Sequence, residues 1–387
     1  MRIAIIPGVF FPQPGGAQVI THNLANKLTK MGHEVDILLL NKTNVKNNFY
    51  KIFIFNKIIL SFFFYLEKIF KIDLSFYSKS YLKKIIEKKH YDIFHFQLLN
   101  FKTLYILKIL KALNQKVIVT FQGIDIQIER EINYGYRLNK KYEKDFLSVV
   151  NKIDKFFSIS KNIERDLLDL GIDNSKIVMV PNAVEKNKFL KLDNTKMNIT
   201  KKIFLVTVAR FAKEKKGFDL IPQIAKLLND KKIDFQWTIA GYNSRYIRTI
   251  ENMKNFDQNF KYLDNIENLD EEFFPHNDLI KVYKNNHIYL NLARIESFGL
   301  TIIEALASGL PVITLNTKGG NELIKNDYNG IIVKNISPEQ IVNAIDQYYK
   351  DIILYEKHKK NTIQSIDRFD LSLITQKTIE NYKHIIN

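Results

Sequence analysis

Residues 2–40 read RIAIIPGVFFPQPGGAQVITHNLANKLTKMGHEVDILLL, and the order of elements in this stretch decides the fold class. RIAIIPGVF is short and apolar almost throughout, as a strand covered on both faces must be. A Gly/Pro loop follows, then an amphipathic stretch with Val19, Leu24 and Leu28 near helical spacing and a stop at Gly32. EVDILLL is a second strand of the first kind. Strand, helix and strand at this spacing predict a parallel βαβ unit.

The alternation continues along the chain. Further strands are expected at YDIFHFQ (91–97), KVIVTFQG (116–123), KFFSIS (155–160) and KIVMVPN (176–182). The polar, Lys- and Asn-rich run EKNKFLKLDNTKMNITKK (185–202) interrupts the pattern, and KIFLVTVARF (202–211) starts it again. FQWTIAGY, KYLDN, HIYLNLAR, PVITL and GIIVK carry it to residue 334, and SLITQKTIENYKHIIN closes the chain. The expectation is therefore two α/β domains with doubly wound parallel sheets, one over residues 1–190 and one over 195–368. The helix at about 370–387 is expected to pack back on the first.

Composition narrows the class. Of 387 residues 46% are hydrophobic and 26% charged, which suits globular domains rather than a disordered chain. Cysteine is absent, which excludes disulfides and thiolate metal sites and fits a reducing compartment. The N-terminal stretch lacks the apolar core and cleavage site of a signal peptide, so a cytoplasmic location is expected. The net charge is +17, and residues 1–190 hold 30 Lys+Arg against 17 Asp+Glu while the remainder holds 28 against 24. The basic first half favours an anionic surface as partner.

Residues 44–90 mix Phe, Tyr and Ile with scattered Lys. Their longest uncharged run, between Lys57 and Glu67, falls far below the roughly 18 to 20 apolar residues that span a bilayer. Two readings stand: a core helix with Lys on its wet face, or an aromatic and basic surface in peripheral contact with an anionic membrane.

The chemistry gathers in ESFGLTIIEALASGLPVIT (296–314). The segment predicts a short helix starting at Phe298-Gly299, with Gly309 as its stop and Pro311 beyond. A helix start offers unpaired N–H groups and the positive dipole end to a phosphate. Ser297, Phe298, Gly299 and Leu300 belong to that start. Glu304, about one turn in, would accept the hydroxyls of a ribose; Glu296, before the helix, those of a sugar at the far end of a diphosphate. The spacing fits a nucleotide-sugar.

These motifs resemble those of the retaining glycosyltransferases of the GT-B fold, in particular glycosyltransferase family four. ESFGLTIIE matches the family's pair of glutamates, VARFAKEKKGFDLI its Arg followed by Lys-Gly, VPNAVE its interdomain Pro-Asn element, and PGGAQ its first glycine loop. The resemblance implies two Rossmann-like domains facing across a cleft, with acceptor contacts from the first and a nucleoside diphosphate sugar, UDP-sugar foremost, on the second. Arg210 and Lys216, or its neighbour Lys215, would hold the diphosphate, whose developing charge must be stabilised as the anomeric bond breaks. Gly15 and Gly16 would approach the phosphates from the first domain, and the TKGGNELI turn would bring Gly319 and Gly320 near the phosphates or sugar.

Two departures from the family pattern stand out. Only Asn321 separates Gly320 from Glu322, where the family has two residues, and Gln122 stands in VTFQGIDI where it commonly has histidine. A glutamine can bond a sugar hydroxyl but cannot titrate. Asp125 nearby is a candidate contact or base, or a structural cap. The resemblance also implies front-face attack, with the departing phosphate taking the acceptor's proton, and neither cofactor nor metal; no Asp-x-Asp pair is present. The expected role is a hexosyltransferase of bacterial surface polysaccharide (lipopolysaccharide or capsule) or glycolipid synthesis, acting in the cytoplasm at the inner face of the membrane on a glycan or lipid-linked acceptor. A GT-B nucleotide-sugar epimerase is the alternative; a nucleic-acid-binding protein is disfavoured, because the basic stretch carries no nucleic-acid-binding pattern and the second half is nearly charge-balanced.

Overall fold

The structure is a computed structural model that describes all residues except 13–14, 47, 57, 71–74, 193–198, 200 and 265–269, together with the side chains at 58, 61, 63, 64, 67 and 68. The chain divides into two units, Met1–Pro181 with residues 270–274 and Leu371–Asn387, and residues 182–264 with Pro275–Asp370.

The first unit carries a seven-stranded parallel sheet: β1 (Arg2–Pro7), β2 (Glu34–Leu39), β3 (Lys51–Ile54), β4 (Ile93–Gln97), β5 (Val117–Phe121), β6 (Lys155–Ser158) and β7 (Ile177–Met179), in the order β3-β2-β1-β4-β5-β6-β7. β4 and β5 are buried at every residue, as helices on both faces require. The order reverses between β1 and β4, so the carboxyl ends of those two strands form the crevice where open parallel sheets bind ligands. Helix Gly16–Lys30 links β1 to β2 and ends where Gly32 takes φ +86°, with the His33 N–H donating to the Leu28 carbonyl.

The reading of 44–90 as one core helix is corrected: the stretch is broken into a strand and shorter helices. It supplies an edge strand, β3, paired with β2 from Asp36 opposite Lys51, and then helices Phe63–Phe70 and Ser75–Lys89. Its exposed side chains mix Phe62, Ile69, Phe70 and Phe76 with Lys51, Lys79, Lys83, Lys84 and Lys88. Among the described residues no helix is long and apolar enough to cross a membrane.

The closing helix, Leu371–Ile386, belongs to the first unit. Its Tyr382 hydroxyl meets His95 Nδ1 on β4 at 2.6 Å, and His95 Nε2 meets Thr120 on β5 at 2.7 Å. Complete burial pushes the His95 imidazole down to about 3, so it stays neutral and accepts at one nitrogen while donating from the other.

The second unit holds β8 (Ile203–Val208), β9 (Phe235–Ala240), β10 (Phe260–Leu263), β11 (Ile288–Asn291), β12 (Val312–Leu315) and β13 (Gly330–Val333), all parallel, in the order β10-β9-β8-β11-β12-β13. Its core gathers around Trp237, whose indole N–H donates to Thr207 Oγ1 at 3.1 Å. Here the order reverses between β8 and β11. The unit begins earlier than the polar run 185–202: the Val184 N–H donates to the Phe369 carbonyl at 3.0 Å and Phe189 is fully buried, which draws residues 182–190 into it. Residues 193–198 and 200 of that run lie outside the described residues.

Candidate active site

The second unit's reversal point collects most of the residues singled out above. Val208 ends β8, and Arg210 follows, exposed. The loop 212–217 then folds back, with the Lys216 N–H donating to the Ala212 carbonyl at 2.8 Å. It ends at Gly217, φ +69°, where an added Cβ would lie 2.0 Å from the Leu292 carbonyl oxygen. No side chain fits there, so the lysine loop presses directly on the backbone that leaves β11. The Arg294 N–H donates to the Lys215 carbonyl at 3.0 Å, completing the seam.

Arg294 clamps this loop from its side chain as well. Its guanidinium grips Asp219 bidentately at 2.7 and 2.6 Å and donates to the Glu214 carbonyl. The pairing with Asp219 holds the Arg294 guanidinium above its usual range. Two residues on, Glu296 Oε2 accepts from Lys216 Nζ at 3.2 Å, the two side chains being only 15% and 22% exposed. Burial lowers the Lys215 ammonium to about 8, helped by the like charges of Lys216 and Arg210 and opposed by Glu296. Three cations and one carboxylate therefore share one electrostatic neighbourhood at the ends of β8 and β11.

Helix Leu300–Ala307 starts beside them, capped by Gly299 in the left-handed conformation. The Tyr289 hydroxyl, on β11, reaches Thr301 Oγ1 at 2.7 Å and the Val208 carbonyl at 3.4 Å, and so ties the helix's first turn to the strand end that precedes Arg210. Glu296 and Glu304 both act electrostatically on that hydroxyl. Ser297 and Phe298 are buried, with the Phe298 ring packed edge-on against Phe369 at 5.6 Å.

Glu304 departs from the picture of a carboxylate already reaching outward. It is 3% exposed, and its Oε2 accepts from the Tyr283 hydroxyl at 2.8 Å on helix Asn277–Lys284. Burial pushes the carboxyl up to about 7 against the lowering effect of that bond.

Gly319 and Gly320 form no open turn. They lie in the first turn of helix Lys318–Leu323, capped by Thr317, and both are buried. The Gly319 N–H donates to the Glu296 carbonyl at 2.9 Å, and a Cβ there would meet that oxygen at 2.5 Å. Gly319 lets this helix press on the 296–298 loop and fix its path, while Gly320 lets it close on Thr317 and on Thr314 of β12.

The remaining candidates lie in the first unit. Gly15 and Gly16 are exposed at the start of helix Gly16–Lys30, while Gln13 and Pro14 lie outside the described residues. Gln122 Nε2 donates to Gln97 Oε1 at 3.3 Å, and Gln97 in turn contacts His95, so the side chain standing in the family's histidine position is held by the buried His95 network. Of the readings open for Asp125, the structure shows the structural one, a brace rather than a contact or base. It is wholly buried, and its carboxylate accepts backbone N–H groups from Leu99, Gln122 and Gly123 at 3.0 Å each, locking the exits of β4 and β5 together. Burial raises it to about 7 against those three bonds.

Tyr283, Tyr289, Arg294 and Asp219 were not singled out from the sequence. Asp219 and Arg294 stand 75 residues apart, and only the adjacency of β8 and β11 makes them partners.

Two Rossmann-like units, with a cluster of cations at the reversal point of the second, have the architecture of a glycosyltransferase of GT-B type. The comparisons agree unit by unit: the model for "Glycosyltransferase Family 4" matches residues 14–188 and that for "Glycosyl transferases group 1" residues 191–365. The chain belongs to this glycosyltransferase family and is a transferase. An uncharacterized glycosyltransferase of Haemophilus influenzae is 23% identical over 96% of both chains. A glycosyltransferase structure from Rickettsia africae superposes with a TM-score of 0.75 at 22% identity, covering 100% of this chain and 99% of the other. Anabaena HepE, solved in complex with UDP and glucose, superposes with a TM-score of 0.74 at 14% identity, covering 99% of each chain.

Proposed function

We propose that this chain transfers a hexose from a UDP-sugar, with retention of anomeric configuration, to a glycan or lipid-linked acceptor of a bacterial surface polysaccharide or glycolipid. The observation that carries the reading is the cluster of Arg210, Lys215 and Lys216 against Glu296, beside the open N–H groups that begin helix Leu300–Ala307. A diphosphate satisfies all of these at once, since it brings negative charge to three cations and acceptors to the helix start. Lys216 then exchanges Glu296 for the β-phosphate, and the released Glu296 is free to accept sugar hydroxyls. Glu304 accepts from the ribose hydroxyls, with Tyr283 holding its second oxygen. A UDP complex of a solved structure with the same fold supports this donor.

In the transfer, the acceptor hydroxyl oxygen bonds to C1 on the face the diphosphate leaves, the C1–O bond to the β-phosphate breaks, and the hydroxyl proton passes to a β-phosphate oxygen. The protein's contribution is electrostatic: the cations stabilise the departing dianion in a partly dehydrated site. In this reading Gln122, whose amide donates to Gln97, bonds a sugar hydroxyl and does not titrate. Neither metal nor cofactor has a role in this scheme. The chain works in the cytoplasm, and the exposed Phe62, Ile69, Phe70 and Phe76, among the lysines of residues 51–89, rest on the anionic inner face of the membrane.

Thermal unfolding with a panel of nucleotide sugars tests the donor assignment. A UDP-sugar raises the melting temperature and Lys216→Ala removes the rise; a panel in which no nucleoside diphosphate sugar stabilises the protein refutes it.

A further inference from the structure

A line of hydrogen-bonded side chains runs through the first unit from the closing helix to Gln122. The Tyr382 hydroxyl meets His95 Nδ1 at 2.6 Å, Gln97 Nε2 meets His95 Nε2 at 3.3 Å, and Gln122 Nε2 donates to Gln97 Oε1 at 3.3 Å. Thr120 Oγ1 joins at His95 Nε2, 2.7 Å away. Strand geometry explains the gathering. His95 and Gln97 lie two apart on β4 and so share one face of the sheet, and Thr120 is the register partner of Gln97 on β5. His95 and Tyr382 are fully buried and Gln97 is 2% exposed, while Gln122, at the end of the line, is only partly covered.

The chemistry of each group gives its bond a direction. The buried, neutral imidazole donates from one nitrogen and accepts at the other, whereas a side-chain amide nitrogen only donates. Gln97 turns its nitrogen to His95 Nε2, so that ring nitrogen is the acceptor, shared with the Thr120 hydroxyl. The ring proton then lies on Nδ1, facing Tyr382. A proton on Nε2 would instead oppose the Gln97 N–H bonds head-on. With its nitrogen committed to His95, Gln97 offers Gln122 its carbonyl oxygen, and Gln122 answers with its own nitrogen. The Gln122 amide is therefore oriented, with its N–H bonds toward Gln97 and its carbonyl oxygen away from it. A glutamine lacking such a partner can present either end.

We propose that Gln97 is a positioning residue: oriented by His95 and Tyr382, it fixes Gln122 as a hydrogen-bond acceptor. The ligand group met there must then carry a proton to give, a hydroxyl rather than an ether or carbonyl oxygen. That this group belongs to a sugar rests on the transferase reading; the orientation of Gln122 does not. A histidine at position 122, as in the family pattern, could present a donor or an acceptor, whereas the amide held by Gln97 presents one polarity.

Nitrogen NMR of the full chain with isotopically labelled histidine, alongside calorimetric titration with UDP, UDP-glucose, UDP-galactose and UDP-N-acetylglucosamine, tests it. The His95 ring, assigned as the one that shifts in Tyr382→Phe, carries its proton on Nδ1. Gln97→Met removes both amide bonds at nearly constant volume. It leaves UDP affinity in place and lowers by about fivefold the extra affinity that the best of these sugars adds to UDP. Gln97→Glu restores that extra affinity, because one carboxyl oxygen still accepts from Gln122 whether or not the group is protonated. The proposal is overturned if the His95 proton lies on Nε2, if Gln97→Met keeps the full sugar-dependent affinity, or if Gln97→Glu behaves like Gln97→Met. Equal loss of UDP and UDP-sugar affinity in Gln97→Met also overturns it, since Gln97 then supports the fold alone. If no sugar adds affinity to UDP in the wild type, the sugar contact of Gln122 in the transferase reading fails, and an Nδ1 proton on His95 leaves the orientation of Gln122 standing.

Discussion

Arg294→Ala separates a clamp from an ornament. The side chain touches no expected donor atom, yet it fixes the loop bearing Lys215 and Lys216 by two charge-assisted bonds to Asp219 at 2.7 and 2.6 Å and a third to the Glu214 carbonyl. Both partners are about three-quarters buried, so the pair lies between a surface bridge and an interior one. Removing it costs about 2 kcal/mol of the second unit's stability, which lowers melting by roughly 5 °C. The loop stays seated at Gly217 against Leu292 but loses its lateral hold, and a shift of Lys216 by a fraction of an ångström weakens a UDP-sugar by about tenfold. Calorimetric titration with UDP, alongside thermal unfolding, reads both effects. Arg294→Lys keeps charge but not the bidentate grip and recovers only part of each. Asp219→Ala reproduces the loss, and the double variant is no worse than either single one. Reduced stability with wild-type UDP affinity in Arg294→Ala would show that the clamp holds the fold and not the donor site, refuting the reasoning.

Other consequences follow from the same geometry. Glu296→Ala and Lys216→Ala each abolish transfer with the fold intact, at a stability cost on the order of 1 kcal/mol from the stranded partner; undiminished turnover in either removes that residue from the site. Glu304→Gln gains stability and loses donor affinity. Burial pushes the folded-state carboxyl up to about 7 from its ordinary 4.5, so wild-type stability falls as pH rises between those values and stays lowered above. The glutamine variant is spared that loss, by on the order of 3 kcal/mol at pH 8 and almost none near pH 4, measured by denaturant unfolding at the two pH values. Donor affinity declines above about pH 8 as Lys215 loses its proton, with a slope approaching tenfold per pH unit, and Lys215→Met flattens that dependence; a wild-type profile already flat from pH 7 to 9.5 removes Lys215 from the diphosphate.

Most of the fold could be read directly, because parallel strands covered on both faces are written as short apolar runs between turn residues. RIAIIP, VIVTF and VITL each became a strand for that reason. β3 could not be read so. KIFI has the same Phe, Ile and Lys content as the helices after it, and only its pairing with β2 makes it a strand. In the site, the pattern of residues 296–304 gave the right neighbourhood, since a glycine-started helix after a buried strand is a local property. What stayed hidden was tertiary: the burial of Glu304 by Tyr283, the grip of Arg294 on Asp219, and the packing duty of Gly319, whose missing Cβ answers to the Glu296 carbonyl. Asp125 shows the converse. A carboxylate beside a motif glycine invited a chemical role, and three backbone N–H groups claim it instead.

Phosphorus NMR of a UDP-sugar with and without the protein bears most directly on the donor site at the start of helix Leu300–Ala307. The β-phosphate resonance shifts and broadens with wild-type protein, and both changes disappear with the Arg210→Ala, Lys216→Ala double variant. An unperturbed spectrum with the wild type, or an equal perturbation with the double variant, contradicts the account.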